Sequence, residues 1–282
     1  MNNGAPLFAA GALAVLAYGL ARRRLLLSLL GVGGLVASLP LLAPEILRPA
    51  APSQALPAAA KLTVIEFNAW GANPMPGRAA SWLASRHPDV IVIEDVGPQL
   101  AADLKASGYH VTRGIDDTAI FSVRSPAARK LVVPPSLWPD LPSFARATFA
   151  IGGRSFSVIG VHLKRPYRPG AISGAVALAS LVSGLEHRSL IVAGDFNLTP
   201  WSFALRRLDA DLALERRDRA LASWPAVVPH AGGLVSPAPF LPIDHVYAGS
   251  DWRTDSIKLG PNLGSDHYPV IATLEFSPRR GG

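Results

Sequence analysis

LIVAGDFNLTPWS, residues 190–202, is the stretch on which the reading of this chain turns. Leu190–Phe196 is an apolar run of strand length that breaks into polar, turn-forming residues. Asp195 and Asn197 are two apart, so in extended chain their side chains leave on the same side. A carboxylate beside a carboxamide can orient a water and hydrogen-bond the phosphate that the water attacks. The same four letters, GDFN, also fit an ordinary strand-to-helix turn, where Asp and Asn satisfy the backbone. Their setting, between a hydrophobic strand and LTPWS, favours the first reading.

Working outward, other apolar strands also end in groups that can hold a metal or a phosphate. Strands are expected over residues 62–67, 89–96, 118–123, 147–151, 156–163, 190–196, 243–248 and 270–276, and helices over 78–86, 171–185 and 202–208. Asn68 follows the first strand, Glu94 and Asp95 lie on the second, and His162 ends a later one. Asp244 opens another, and Asp266-His267 precede the last. One such residue is normally a cap; the repetition points to a site where strand ends converge. Strands outnumber helices, so mixed sheets covered by helices are expected rather than a regular βαβ repeat.

Adjacent Asp266 and His267 point to opposite sides of an extended chain and so serve different roles. Asp244 is placed to bond an imidazole and fix its tautomer, while the flipped His245 reads as structural. Asp116-Asp117 reads as a solvated turn. Lys164, Arg165 and Arg168 follow His162 and suit substrate phosphate as well as they suit an exposed basic loop. Trp201 and Trp224 sit in Pro-containing loops and read as packing aromatics.

FNAW, PDVIVIEDV, AIFSV, RATF, VHLKRP, GDFNLTPWS, SWP, PIDHVYAGS and GSDHYPVIATL, in this order over about residues 61–276, resemble the endonuclease/exonuclease/phosphatase superfamily. The similarity is greatest to its bacterial branch with N-terminal membrane segments. The resemblance implies a four-layer α/β sandwich, two mixed sheets face to face with helices outside, and a site at one end. It implies Mg2+, with Mn2+ as a substitute, held by Asn68 and an acidic residue of IEDV, with Asp266 near the metal. Asp195 would orient or deprotonate the attacking water, and Asn197 would bind the phosphate. His267, oriented by Asp244, would stabilise charge on the phosphoryl oxygens, and His162, with Asp117 as its carboxylate partner, would contact phosphate or protonate the leaving group. One segment departs from the family pattern: Glu94 occupies the usual Gln place and Asp95 the usual Glu place. Strand register favours Asp95 as the ligand and chemical identity favours Glu94; register is followed here.

Among 282 residues, 49% are hydrophobic, and the excess lies at the start. Residues 5–21 and 25–44 carry no charge and flank Arg22, Arg23 and Arg24. The second stretch has the ~20 apolar residues a bilayer span needs, and the first lies near the lower limit of ~17. Either both cross as a hairpin, or only the second does; both place the rest outside the cytoplasm, and the resemblance to the bacterial branch implies the inner membrane of a bacterium. Residues 1–48 are therefore expected to be a membrane anchor, 49–60 a Pro/Ala linker, and 61–282 the catalytic domain. The absence of cysteine excludes disulfides and thiolate metal sites, which leaves oxygen and imidazole ligands and hard cations. Net charge is +7, of which about +4 belongs to the domain, too mild to demand nucleic acid. The expected partner is a phosphate ester, with nucleic acid, phospholipid and small molecules all open, and no obligate protein partner. The competing function is an inactive metal- or phosphate-binding sensor or scaffold that kept the fold.

Overall fold

Two mixed sheets carry the domain. The computed structural model describes residues 3–49, 60–129, 133–151, 153–227, 234–236 and 238–277. Most of the expected 49–60 linker lies outside them. The first sheet is built from β1 (Lys61–Asn68), β2 (Val90–Glu94), β3 (His110–Arg113), β4 (Ala119–Ser122), β10 (Trp252–Leu259) and β11 (Val270–Phe276), in the order β10-β11-β1-β2-β4-β3. The second is built from β5 (Ser143–Ile151), β6 (Arg154–His162), β7 (Leu190–Asp195), β8 (Glu215–Arg216) and β9 (Asp244–Ala248), in the order β5-β6-β7-β9-β8. Among the described residues only β1–β2 and β6–β7 run parallel.

The side-chain period of two sorts each strand into an inner and an outer face. Leu62, Val64, Val90, Val92, Ile191, Ala193, Val246 and Ala272 fill the space between the sheets. Their odd-numbered or even-numbered neighbours, Ile65, Phe67, Ile91 and Ile93, instead meet α3 (Pro76–Ser85) and α4 (Pro98–Ala106). On the far side, Ile159, Val161 and Val192 pack on α5 (Ala171–Ser183) and α6 (Phe203–Leu212). Helix, sheet, sheet, helix is the expected four-layer sandwich. Each buried Val or Leu side chain contributes about 1.5–3 kcal/mol, so these three clusters supply the main driving force.

The strands at 252–259 and 110–113 and the helix at 98–106 go beyond the sequence reading. β10 is an edge strand with exposed Asp255 and Ser256, so its pattern lacks the apolar continuity of a central strand.

Ahead of the sandwich, α1 (Ala5–Ala21) and α2 (Leu25–Ile46) form an antiparallel hairpin whose seam contains Gly19, Gly31 and Gly34. By length and composition α2 is able to cross a membrane, whereas α1 is a shorter apolar helix. Most of their large apolar side chains are exposed, among them Leu13, Leu20, Leu29, Val36 and Leu39.

Candidate active site

Strand parity places the polar termini on one inner face. Asn68 pairs with Glu94 across β1–β2, His162 with Asp195 across β6–β7, and Asp195 with Asp244 across β7–β9. Each occupies the position where the inter-sheet core would otherwise continue. The strands come close here: at Gly194 a Cβ would overlap the Val161 carbonyl, so no other residue fits before Asp195.

Asp195 is the centre. Its carboxylate is 1% exposed and accepts hydrogen bonds from Asn68 Nδ2 (3.0 Å), Asn197 Nδ2 (3.2 Å) and the Asn197 backbone N–H (2.8 Å). Asn197 takes a left-handed φ of 52°, which Asn tolerates, and its amide also donates to the Leu163 carbonyl. Asp195 Oδ2 lies 3.7 Å from His162 Nε2 and 3.8 Å from His267 Nε2. The opposite nitrogen of each ring is pinned by a carboxylate: Nδ1 of His162 by Asp117 at 3.1 Å, Nδ1 of His267 by Asp244 at 2.9 Å. Two imidazoles thus present Nε2 to one spot beside Asp195.

The electrostatics follow from burial and partners. Burial opposes the charge on His267, but the Asp244 and Asp195 carboxylates outweigh it and push the imidazole up to about 10. The same balance, with Asp117 and Asp195, raises His162 to about 9. Both rings are therefore cationic donors at neutral pH. Burial, reinforced by Asp244 and opposed by the two imidazoliums, raises the Asp195 carboxyl above its ordinary range. Such a group is a better base than a solvated aspartate.

The acidic strand end differs from the sequence expectation. Register places Glu94, not Asp95, on the inner face beside Asn68, and Glu94 is fully buried. Asp95 follows the strand at φ 49°, which breaks the alternation and turns its carboxylate to a group with Asp117 and His162. Both acids thus reach the site, from below and from its wall. Burial and then Asp117 raise Asp95 to about 6.

Glu66 was not singled out from sequence. It sits two residues before Asn68 on the same face, fully buried, and period two was the signal that would have found it. Among the described residues no fixed donor reaches either oxygen of Glu66 or of Glu94, and the two carboxyls can hydrogen-bond only to each other, which requires one of them to be protonated. Burial, and then Asp244 and Glu94, hold Glu66 well above the usual carboxylate range, and burial does the same for Glu94 against the pull of His162. Buried carboxylates without donors fit a cation, the partner such groups take when they are not neutral. The residues present therefore suit a hard divalent ion, with Asn68 Oδ1, which also accepts from the Trp70 N–H at 3.0 Å, alongside.

A cleft of about 730 Å³ opens over these groups, walled by Trp70, Trp138 and His267, with Lys164, Arg165 and Arg168 at its rim. Asp266 lines the same cleft but turns to Trp224, whose Nε1 donates to it at 3.1 Å, and stands apart from the tight acidic groups. Ser265, also missed from sequence, bridges the Asn68 carbonyl and the His267 N–H at 2.7 and 3.0 Å, tying the two ends of the site together. His245 points the other way, held by Asp218 and the Leu198 carbonyl, both at 2.8 Å.

With this geometry in view, the profile of the Endonuclease/Exonuclease/phosphatase family matches residues 65–267. The chain belongs to that family. Members of this family hydrolyse phosphoric esters. No individually curated protein matches it. An endonuclease/exonuclease/phosphatase family protein from Bacteroides thetaiotaomicron superposes with a TM-score of 0.64 at 15% identity, over 78% of this chain and 99% of that one. D. rerio TDP2, complexed with single strand DNA product, gives 0.60 at 18% identity, over 77% and 99%. Sphingomyelinase C from Streptomyces griseocarneus gives 0.54 at 16% identity, over 76% and 100%. At these identities the likeness is one of fold.

Proposed function

We propose that this chain is a membrane-tethered, divalent-cation-dependent phosphoesterase that cleaves its substrate by in-line attack of a water. The observation that carries the reading is the convergence on Asp195: two amides fix its carboxylate, and two imidazoliums aim Nε2 at the space beside it. Support for the ester class comes from relatives of the same fold, one bound to a DNA product and one named for sphingomyelin.

Asp195 orients the attacking water and accepts its proton, a role its raised carboxyl range suits. His162 and His267 donate to phosphoryl oxygens whose negative charge grows in the transition state, and Asp117 and Asp244 keep both rings protonated and aligned. His162 lies toward the open cleft and is placed to give a proton to the leaving oxygen. Glu94 and Asn68, with Glu66 behind, would hold the cation. When bound, that ion supplies the positive charge that polarises a phosphoryl oxygen. Lys164, Arg165 and Arg168 engage the rest of the substrate's charge from the rim. Residues 1–48 anchor the enzyme, with α1 and α2 crossing the membrane as a hairpin and the domain outside the cytoplasm.

The test is turnover of bis-p-nitrophenyl phosphate by the full chain in detergent with Mg2+ or Mn2+. EDTA should abolish it, and Asp195→Asn should lower kcat by about 1,000-fold with little change in folding. Turnover that persists in EDTA, or a near-normal Asp195→Asn rate, overturns the mechanism.

A further inference from the structure

The two ends of the N-terminal hairpin do not hang free of the domain. At the start of α1, Asn3 donates from Nδ2 to the Asn197 carbonyl (3.3 Å), and its Oδ1 accepts from Thr199 Oγ1 (3.1 Å). Trp201 Nε1 donates to the Asn3 carbonyl at 2.7 Å. At the end of α2, Glu45 pairs with the buried Arg216 at 2.7 Å, and Arg206 donates to the Pro40 and Leu41 carbonyls. The root of the hairpin is therefore seated on the loop that carries Asn197 and on α6. The 17 residues of α1 reach about 25 Å from that root, nearly one hydrocarbon thickness, and end at Arg22–Arg24. Reading the hairpin as membrane-inserted puts the loop after Asp195 at the bilayer surface.

A groove of about 410 Å³ begins at this root. Asn3 lines it, together with Ile172 and Val176 of α5 and Phe203 and Leu208 of α6. Three of these apolar side chains are strongly exposed: Ile172 at 72%, Phe203 at 65% and Val176 at 48%. Water is a poor medium for such a cluster, and a bilayer edge is a good one. Through Asn3 and Pro166 the groove continues into a second hollow of about 410 Å³ with Trp224, Leu241, Asn197 and His267 on its walls. His267 and Arg165 in turn border the catalytic cleft. The sequence of spaces is apolar at the membrane root and cationic at the catalytic end. That polarity matches an acyl or prenyl tail joined to a phosphate.

We propose that the substrate is a membrane lipid carrying a phosphoester, drawn from the bilayer with its tail along Ile172, Val176 and Phe203 and its phosphate between His162 and His267. This rests on the phosphoesterase and membrane readings above. A nucleic acid would instead need phosphate contacts along an extended basic track, and the groove on the hairpin side is not one.

The full chain is placed in phosphatidylglycerol–phosphatidylethanolamine nanodiscs containing a phosphatidic acid with a diazirine in its acyl chain. After irradiation, adducts are mapped by peptide mass spectrometry, and bis-p-nitrophenyl phosphate turnover is measured on the same sample. Adducts are expected on peptides containing Ile172, Phe203 and Trp224. The double variant Ile172→Glu/Phe203→Glu should lower them by about tenfold. Both side chains are exposed and neither lines the catalytic cleft, so turnover of the soluble ester should stay within about twofold. Adducts confined to α1 and α2, labelling indifferent to the double substitution, or protection of the groove by a single-stranded oligonucleotide would each overturn the lipid assignment while leaving soluble turnover to stand. Groove labelling without turnover of any ester would overturn the phosphoesterase reading instead.

Discussion

Asp244→Asn isolates the electrostatic design of the site. Asp244 is fully buried and holds both carboxylate oxygens within 3.1 Å of His267 Nδ1. The substitution keeps the shape and the acceptor oxygen but removes the charge. His267 is raised to about 10 in the folded protein, against an unfolded value of ~6.5, which at neutral pH is worth roughly 4 kcal/mol of stability. Asp195 supplies part of that shift, and removing Asp244 also relieves Asp195 and Glu66 of a like charge. The expected loss is therefore about 3 kcal/mol, at the lower end of what breaking a buried pair costs. The sign is fixed by linkage. A folded-state pKa above the unfolded one gives stability that is complete below about pH 6.5 and disappears as pH rises through about 10.

The assay is urea unfolding in detergent and EDTA, followed by tryptophan fluorescence. All six tryptophans lie at or beyond Trp70, so the signal reports the domain and not the hairpin. EDTA removes any contribution of cation binding to the measured stability. The wild type and Asp244→Asn should differ by about 3 kcal/mol at pH 6 and converge toward pH 10. A difference that does not change with pH, or one under about 0.5 kcal/mol at pH 6, would mean that the imidazolium pair does not form and would remove the basis for His267 as a cationic donor.

Other perturbations probe the floor and the frame of the site. Glu94→Ala should weaken Mn2+ binding, measured calorimetrically, by about 10- to 100-fold and more than Asp95→Ala does; the opposite ranking would return the ligand role to Asp95. Glu66→Gln removes one of two buried carboxylates that lack donors, so it should raise stability in EDTA by about 1 kcal/mol while lowering Mn2+ affinity. A destabilised variant with unchanged affinity would show that Glu66 has no part in the cation site. Gly194→Ala drives a methyl into the Val161 carbonyl and should cost about 3 kcal/mol in urea unfolding; wild-type stability would refute the close strand approach that positions Asp195.

Much of the site was legible because strand parity is a local rule. Asn68, His162, Asp195 and Asp244 each end or begin an apolar run on the parity of its inner face, and the sheets bring those ends together. His267 was legible with its partner, since one step along the chain separates it from Asp266 and turns the two apart. What parity did not settle was the IEDV segment. A single residue in left-handed backbone, Asp95, ends the alternation, and nothing in its neighbours announces that turn. Glu66 escaped for the opposite reason: a lone acid inside an apolar strand reads as a solvent-facing position until the second sheet covers it. The docking of Asn3 and Glu45 on the domain was out of reach, because it depends on residues about 170 to 200 positions apart.

The charges at the centre of the sandwich explain why so many polar groups tolerate burial together. Glu66, Glu94, Asp195 and Asp244 are all essentially without exposure, and His162 and His267 stand against them. With every group ionised, these four carboxylates and the Asp117 that pins His162 face two imidazoliums, an excess of three negative charges in a medium that disfavours any. One way to remove the excess is protonation, toward which burial pushes Glu66 and Glu94. The other is a divalent cation, which would offset two of these charges without a proton and leave Asp195 free to act as base in the proposed mechanism. A scaffold that only bound its partner would gain nothing from keeping four acids and two imidazoliums in so costly an arrangement. A phosphoryl group, which brings further negative charge into the same space, does.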